Sequence, residues 1–139
     1  MTTEEYAFWN YITKKLNTSV AFRAKDPAEQ CYEVKQTARD HLEQVLRHIC
    51  DGTMIYPYIE PDGEGGICAT WRADTYALVI SVDDDLSTHV IFQHPGHPLE
   101  QCVLDLSDNA LTQRIREHLY TLSTNVKRAN PNWQSVFAK

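Results

Sequence analysis

The sequence predicts an α+β fold: an antiparallel three- to four-stranded meander packed against long helices, in the order α-α-β-β-β-(β)-α. Three observations carry this. Apolar residues recur every three or four positions before Ile49 and again after Leu111; between Ile67 and His94 the period drops to two; and the alternating runs are separated by turns too short for crossovers. The length of 139 residues fits one domain spanning 1–139, large enough to bury a core without disulfide staples.

The first helix starts at Thr2, whose spacing to Glu5 is that of a capping box, and runs to about Leu16. Trp9, Ile12 and Leu16 share one face, and Tyr6, Phe8 and Tyr11 widen the apolar surface beyond a narrow stripe. The connector that follows carries Arg23 and Lys25. Asp26, Pro27 and Glu29 then form a strong helix start, with Pro27 at the first helical position where its missing N–H is harmless. Cys31, Val34, Ala38, Leu42, Val45 and Ile49 continue the period to a stop at Asp51-Gly52. A helix of about 24 residues would be about 36 Å long.

The stretch Tyr56 to Arg72, YPYIEPDGEGGICATWR, then changes character. Phosphate loops place glycines between a strand and a helix N-terminus, but here the glycines precede a strand and sit beside Asp62 and Glu64. The reading is one of backbone geometry: Pro57 and Pro61 hold an extended path, and Gly63, Gly65 and Gly66 permit positive φ or a bulge ahead of the first strand. Residues 67–72, 76–82 and 88–94 alternate as strands, with a hairpin at 72–75 and an acidic tip at Asp83-Asp84-Asp85. Residues 102–106 either add a fourth strand or lead into the last helix. That helix starts at Ser107 or Asp108, buries Leu111, Ile115, Leu119, Leu122 and Val126, and stops at Asn130-Pro131. Trp133 and Phe137 are expected to fold back onto the domain. Apolar residues at Val79, Ile91 and Phe92 fall on both faces of the sheet, so either the first helix or a second copy in a homodimer covers the face opposite the other helices.

Charge and motifs narrow the function classes. With 13 Lys and Arg against 19 Asp and Glu, the net charge is −6, which disfavours direct contact with nucleic acid and suits a basic partner. No stretch of about 18 apolar residues offers a membrane span, and the acidic N-terminus is unlike a secretory leader, so a cytoplasmic protein is expected. Cys31, Cys50, Cys68 and Cys102 form no C-x-x-C pair and read as reduced thiols. His94 and His97 flank a Pro-Gly turn and are the candidate metal ligands, but two imidazoles fall short of a zinc centre, so neither metal nor cofactor is expected. His41, His48 and His118 lie on helices, at surfaces or boundaries. No catalytic motif stands out.

Around the Pro-x-Ile-x-Pro segment the chain resembles a set of small bacterial and phage-borne proteins with no assigned activity. Pro57, Ile59, Pro61, Asp62, Gly65, Gly66, Ile67 and Trp71 carry the likeness, which extends to the acidic hairpin at Asp85 and to the preceding helix. The Trp-Asp-Gly-Tyr-type segment often seen before that helix is missing here. The resemblance implies a helix-then-meander architecture and an accessory gene of a mobile or defence-related locus. The leading expectation is therefore a non-enzymatic protein-interaction module of accessory, immunity-like or inhibitor type, with Phe8, Tyr11, Arg23 and Lys25 as the expected partner-binding residues. The alternatives are a small metal-dependent hydrolase or nucleotide-handling enzyme using His94 and His97, and an acidic DNA mimic.

Overall fold

The computed structural model describes residues 2–18 and 33–138. Three helices, α1 (Thr3–Thr18), α2 (Gln36–Ile49) and α3 (Asn109–Ala129), accompany strands β1 (Tyr58–Pro61), β2 (Ile67–Ala73), β3 (Tyr76–Val82), β4 (Thr88–Gln93) and β5 (Glu100–Val103). The strands form one five-stranded sheet in sequence order, with every neighbour antiparallel. This is an α+β fold, with the predicted meander enlarged by a short strand at each edge.

Both additions have local causes. Pro57 and Pro61 do keep the chain extended, but the extended segment pairs with β2 instead of merely leading to it. An edge strand tolerates proline because one side of its backbone needs no ladder. The glycine cluster is thus a hairpin turn between β1 and β2. Gly63 and Gly65 take φ of 85° and 93°, and a Cβ on Gly66 would lie 2.3 Å from Asp62 Oδ2 and 2.4 Å from the Val82 carbonyl oxygen. Residues 100–103, starting two positions before the expected segment, supply β5.

The second helix is shorter than its periodicity suggests. The Asp26-Pro27 start and Cys31 lie outside the described residues, and from Glu33 to Lys35 the chain is not helical. Lys35 is extended at φ −67° and ψ 140°, and its N–H donates to the Gly65 carbonyl at 3.1 Å. Docking on the β1–β2 turn competes with helix formation here and wins, so α2 holds 14 residues, about 21 Å. The caps of the other helices are as the sequence indicates: Glu5 N–H donates to Thr2 Oγ1, and Leu111 N–H donates to Asp108 Oδ1. Asn130 closes α3, its N–H bonding the Val126 carbonyl.

The core lies between the helices and one face of the sheet. Ala38, Leu42, Val45 and Ile49 of α2 and Ile115 and Leu119 of α3 meet Ile67, Trp71, Leu78, Ile80, Val90 and Phe92, all essentially without solvent exposure. Phe8, Ile12 and Leu16 are the buried residues of α1, while Trp9 is half-buried under the Arg47 guanidinium, 4.1 Å from the ring centroid. Helix α1 packs on α2 and β1, on the same side as the other helices. It does not cover the second face of the sheet.

Between α2 and β1 an irregular strap, residues 50–57, runs through the core with Met54, Ile55 and Tyr56 buried. A buried strap has no ladder to satisfy its backbone, so side chains must do it. The Ile55 N–H donates to Ser123 Oγ at 2.9 Å, and the Trp71 indole N–H donates to the Ile55 carbonyl at 3.1 Å. Tyr11 donates its hydroxyl to the Pro57 carbonyl at 2.9 Å, Arg116 donates to the Ile49 carbonyl, and Lys127 to that of Thr53. Tyr56 stacks on Tyr11 and meets Trp133 and Phe137 edge-on, so the C-terminal 3-10 helix (Trp133–Phe137) folds back as expected.

Ser123→Ala leaves the Ile55 N–H buried without an acceptor and is expected to cost about 1–3 kcal/mol. Thr124→Ala, on the exposed side of the same helix, should stay within about 0.5 kcal/mol of wild type. Urea unfolding of the three proteins measures the difference, and equal midpoints would show that the strap does not depend on Ser123.

Candidate functional site

Three regions combine exposed chemistry with a defined shape. The first is a cleft of about 450 Å³ between α3 and the strand ends, lined by Tyr76, His94, Arg114, Glu117, His118 and Asn125 among others. Helix periodicity builds its floor: Arg114, His118, Thr121, Asn125 and Ala129 step by three or four and fall on one flank of α3. The opposite wall comes from Tyr76 at the start of β3 and from His94 just after β4.

Within this cleft the His94 and His118 rings meet edge to face with centroids 4.7 Å apart, and His118 also packs against Phe92 at 5.5 Å. Arg114 lies 4.1 Å above the Phe92 ring centroid and bonds both oxygens of Glu100, at 2.8 and 2.5 Å. Those bonds hold the Glu100 carboxyl below its usual range and raise Arg114, so the pair stays charged. Its charge is balanced within itself. His118 Nε2 is buried with no hydrogen-bond partner among the described residues. Burial, reinforced by the positive potential of His94 and Arg114, lowers the His118 pKa to about 4.

His97, the other half of the expected metal pair, has its ring centroid 6.0 Å from that of His94, and its Nδ1 lies 3.0 Å from the Pro95 carbonyl oxygen. A second cleft of about 500 Å³ adjoins the first there, sharing His94 and Arg114. Among the described residues no group of three or more His, Cys, Asp or Glu side chains is arranged to hold a metal ion. The structure instead brings together His94, His118 and Arg114. The sequence signal for this grouping was the four-residue step from Arg114 to His118; what it lacked was the partner from β4.

The second region is the face of the sheet turned away from the helices, which none of the described helices covers. Strand register places Tyr58, Thr70, Val79, Ile91 and Gln101 in one row across all five strands. Glu60, Cys68, Ser81, His89 and Val103 form the next row. Val79 and Ile91 are half-buried, and Val103 is 71% exposed. The face has an apolar centre and polar margins.

The third region is the end of the sheet where the β1–β2 and β3–β4 turns and the exit from β5 converge. It gathers Asp62, Glu64, Asp83, Asp84, Asp85 and Asp105. Lys35, 3.8 Å from Asp84, offsets part of this charge, and the His89 ring lies 3.9 Å from Asp83. Hydrogen bonds from Ser87 and Ser107 lower the pKa of Asp85 and Asp105, keeping them ionised. In the glycine-rich turn two of the amides are already used. Glu64 N–H and Gly66 N–H both donate to Asp62 Oδ1, at 2.7 and 2.8 Å, so the carboxylate fills the position an anion would take.

The residues expected to bind a partner are placed differently. Phe8 is fully buried in the core and presents no surface, a correction that follows from the helix facing α2 with its Phe8–Ile12–Leu16 edge. Tyr11 is half-buried in the aromatic cluster, and burial, then its neighbours Tyr58 and Tyr56, push its hydroxyl pKa up. Arg23 and Lys25 lie outside the described residues. Cys50, Cys68 and Cys102 are free thiols. No described helix is long and apolar enough to cross a membrane.

Because His118 is neutral in the fold but titrates near 6.5 when unfolded, the unfolded chain binds more protons between about pH 6.5 and 4. Its contribution to stability is complete above that window and is lost as the pH falls through it. Urea midpoints should therefore decline across this range, and His118→Phe should flatten the decline. An equally steep decline in the variant would remove His118 as its source.

No protein family, curated protein or solved structure matches the chain.

Proposed function

We propose that the protein is a non-enzymatic interaction module that docks a basic protein partner on the open sheet face and the adjoining acidic end. The sheet face that no described helix covers carries this reading. An apolar pair at the centre, Val79 and Ile91, with the exposed Val103 in the next row at the edge, is the kind of surface that gains most by being buried against another protein. Sheet geometry supports the size of the footprint. Strands about 4.8 Å apart and rising about 3.3 Å per residue give a face of roughly 500 Å². A stable complex needs about 800 Å² per partner, so the neighbouring turns belong to the surface as well.

Those turns give the partner its sign. The chain carries a net −6, and carboxylates cluster beside the face, so a partner with a basic rim gains both steering and register. The resemblance to accessory proteins of bacteria and phages agrees with an immunity-like or inhibitor role.

Affinity capture from the native cell, repeated with Ile91→Asp and with the triple change Asp83→Asn, Asp84→Asn, Asp85→Asn, tests the reading. A stoichiometric partner should be retained by wild type, be lost with Ile91→Asp, and bind the triple variant with weaker affinity and a shallower salt dependence. Retention by all three proteins, with circular dichroism unchanged, would place the interface elsewhere.

A further inference from the structure

The cleft beside His118 is one segment of a longer channel. It shares Tyr76 and Asn125 with a third cleft, of about 320 Å³, lined by Ala73, Asp74, Val126 and Ala129. That one in turn shares Val126 and Asn130 with a slot beside Trp133 and Phe137. From Arg114 to Ala129 the helix rises about 22 Å, the span of about seven residues of extended chain.

The lining states what fits. The Tyr76 hydroxyl, the His94 ring, the Asn125 amide and His118 Nε2 make no hydrogen bond with other described residues. A succession of unpaired hydrogen-bonding groups matches a peptide main chain, which offers one N–H and one C=O per residue. Beside them Ala73, Val126 and Ala129 form an apolar recess for a side chain. Charged groups facing the channel are Arg114, Glu117 and Glu100 at one end, Asp74 further along, and Arg72 in the slot beside Trp133. Arg114 and Glu100 neutralise each other, which leaves Glu117 and Asp74 against Arg72, a negative balance among these groups. A polyphosphate chain is repelled, whereas a basic residue is favoured.

We infer that this groove along α3 binds an extended peptide segment, neutral to basic in charge, anchored by one apolar side chain between Ala73, Val126 and Ala129. The groove lies at the end of the sheet opposite the acidic turns. It is a separate site from the open face, and the two are tested by different substitutions.

A phage-displayed random dodecapeptide library panned against the full chain provides the probe, followed by fluorescence anisotropy of the enriched peptide in synthetic, fluorescein-labelled form. Enriched sequences should share an aliphatic or aromatic residue flanked by Lys or Arg. The labelled peptide should bind at least tenfold more weakly to Ala129→Trp, which fills the recess, and to Asn125→Ala, which removes an amide from an exposed position without altering the core. Its affinity for Ile91→Asp should match wild type. Failure to enrich any peptide, undiminished binding to both groove variants, or tighter retention of an oligothymidylate than of the peptide would each overturn the proposal. Urea midpoints of the variants confirm that they fold.

Discussion

The strap from Cys50 to Pro57 is the constraint on which the rest of the structure depends. It carries backbone groups that no ladder pairs through the middle of the core, where leaving one N–H or C=O unsatisfied would cost a sizeable fraction of a domain's net stability. Ser123 from α3 and Trp71 from β2 bond the two sides of Ile55, and Tyr11 from α1 reaches Pro57. One segment therefore ties all three layers of contact together: α1, α3 and the sheet each owe part of their placement to it. Gly52 shows how tight the arrangement is, since a Cβ there would lie 2.3 Å from the Glu5 Cα at the start of α1.

With the strap and the helices on one side, the sheet is asymmetric. Its inner face buries Trp71, Leu78, Ile80 and Phe92, whereas its outer face leaves Val79, Ile91 and Val103 to find cover elsewhere. The two ends of the sheet differ as well. One end collects carboxylates whose local work is to cap turns, as Asp62 does for Glu64 and Gly66 and Asp85 does for Ser87. The other end meets the flank of α3, where Arg114 spans Phe92 and Glu100 and where a buried imidazole nitrogen has no partner among the described residues. The same carboxylates serve turn geometry first and surface potential second, and nothing in that order requires a ligand to hold the turns.

Much of the fold was legible because its signals are local. The Thr2 and Asp108 caps, the Asn130-Pro131 stop, the alternation of Ile67, Ala69 and Trp71, and the positive-φ glycines each depend on backbone chemistry within a few residues. Where a distant group competes, the local signal misleads. Val34 keeps the helical period, yet Lys35 gives its N–H to Gly65 and the helix starts later. Phe8 looks like surplus aromatic surface on a helical wheel, but it is the innermost residue of α1 because the strap's Tyr56 and Trp9 pack against it. His94 has His97 as its neighbour in sequence, whereas its nearer ring is His118 on another element.

The sequence by itself determined the helices and the three central strands, their order and their antiparallel pairing, since periodicity, caps and short turns act within a helical turn or across a hairpin. Only the tertiary structure decided that all the described helices share one face, that a proline-flanked segment joins the sheet as its edge, and that His118, Arg114 and Tyr76 border one groove. Those outcomes turn on which distant partner satisfies a buried N–H, C=O or apolar side chain, a choice that residues near in sequence do not encode.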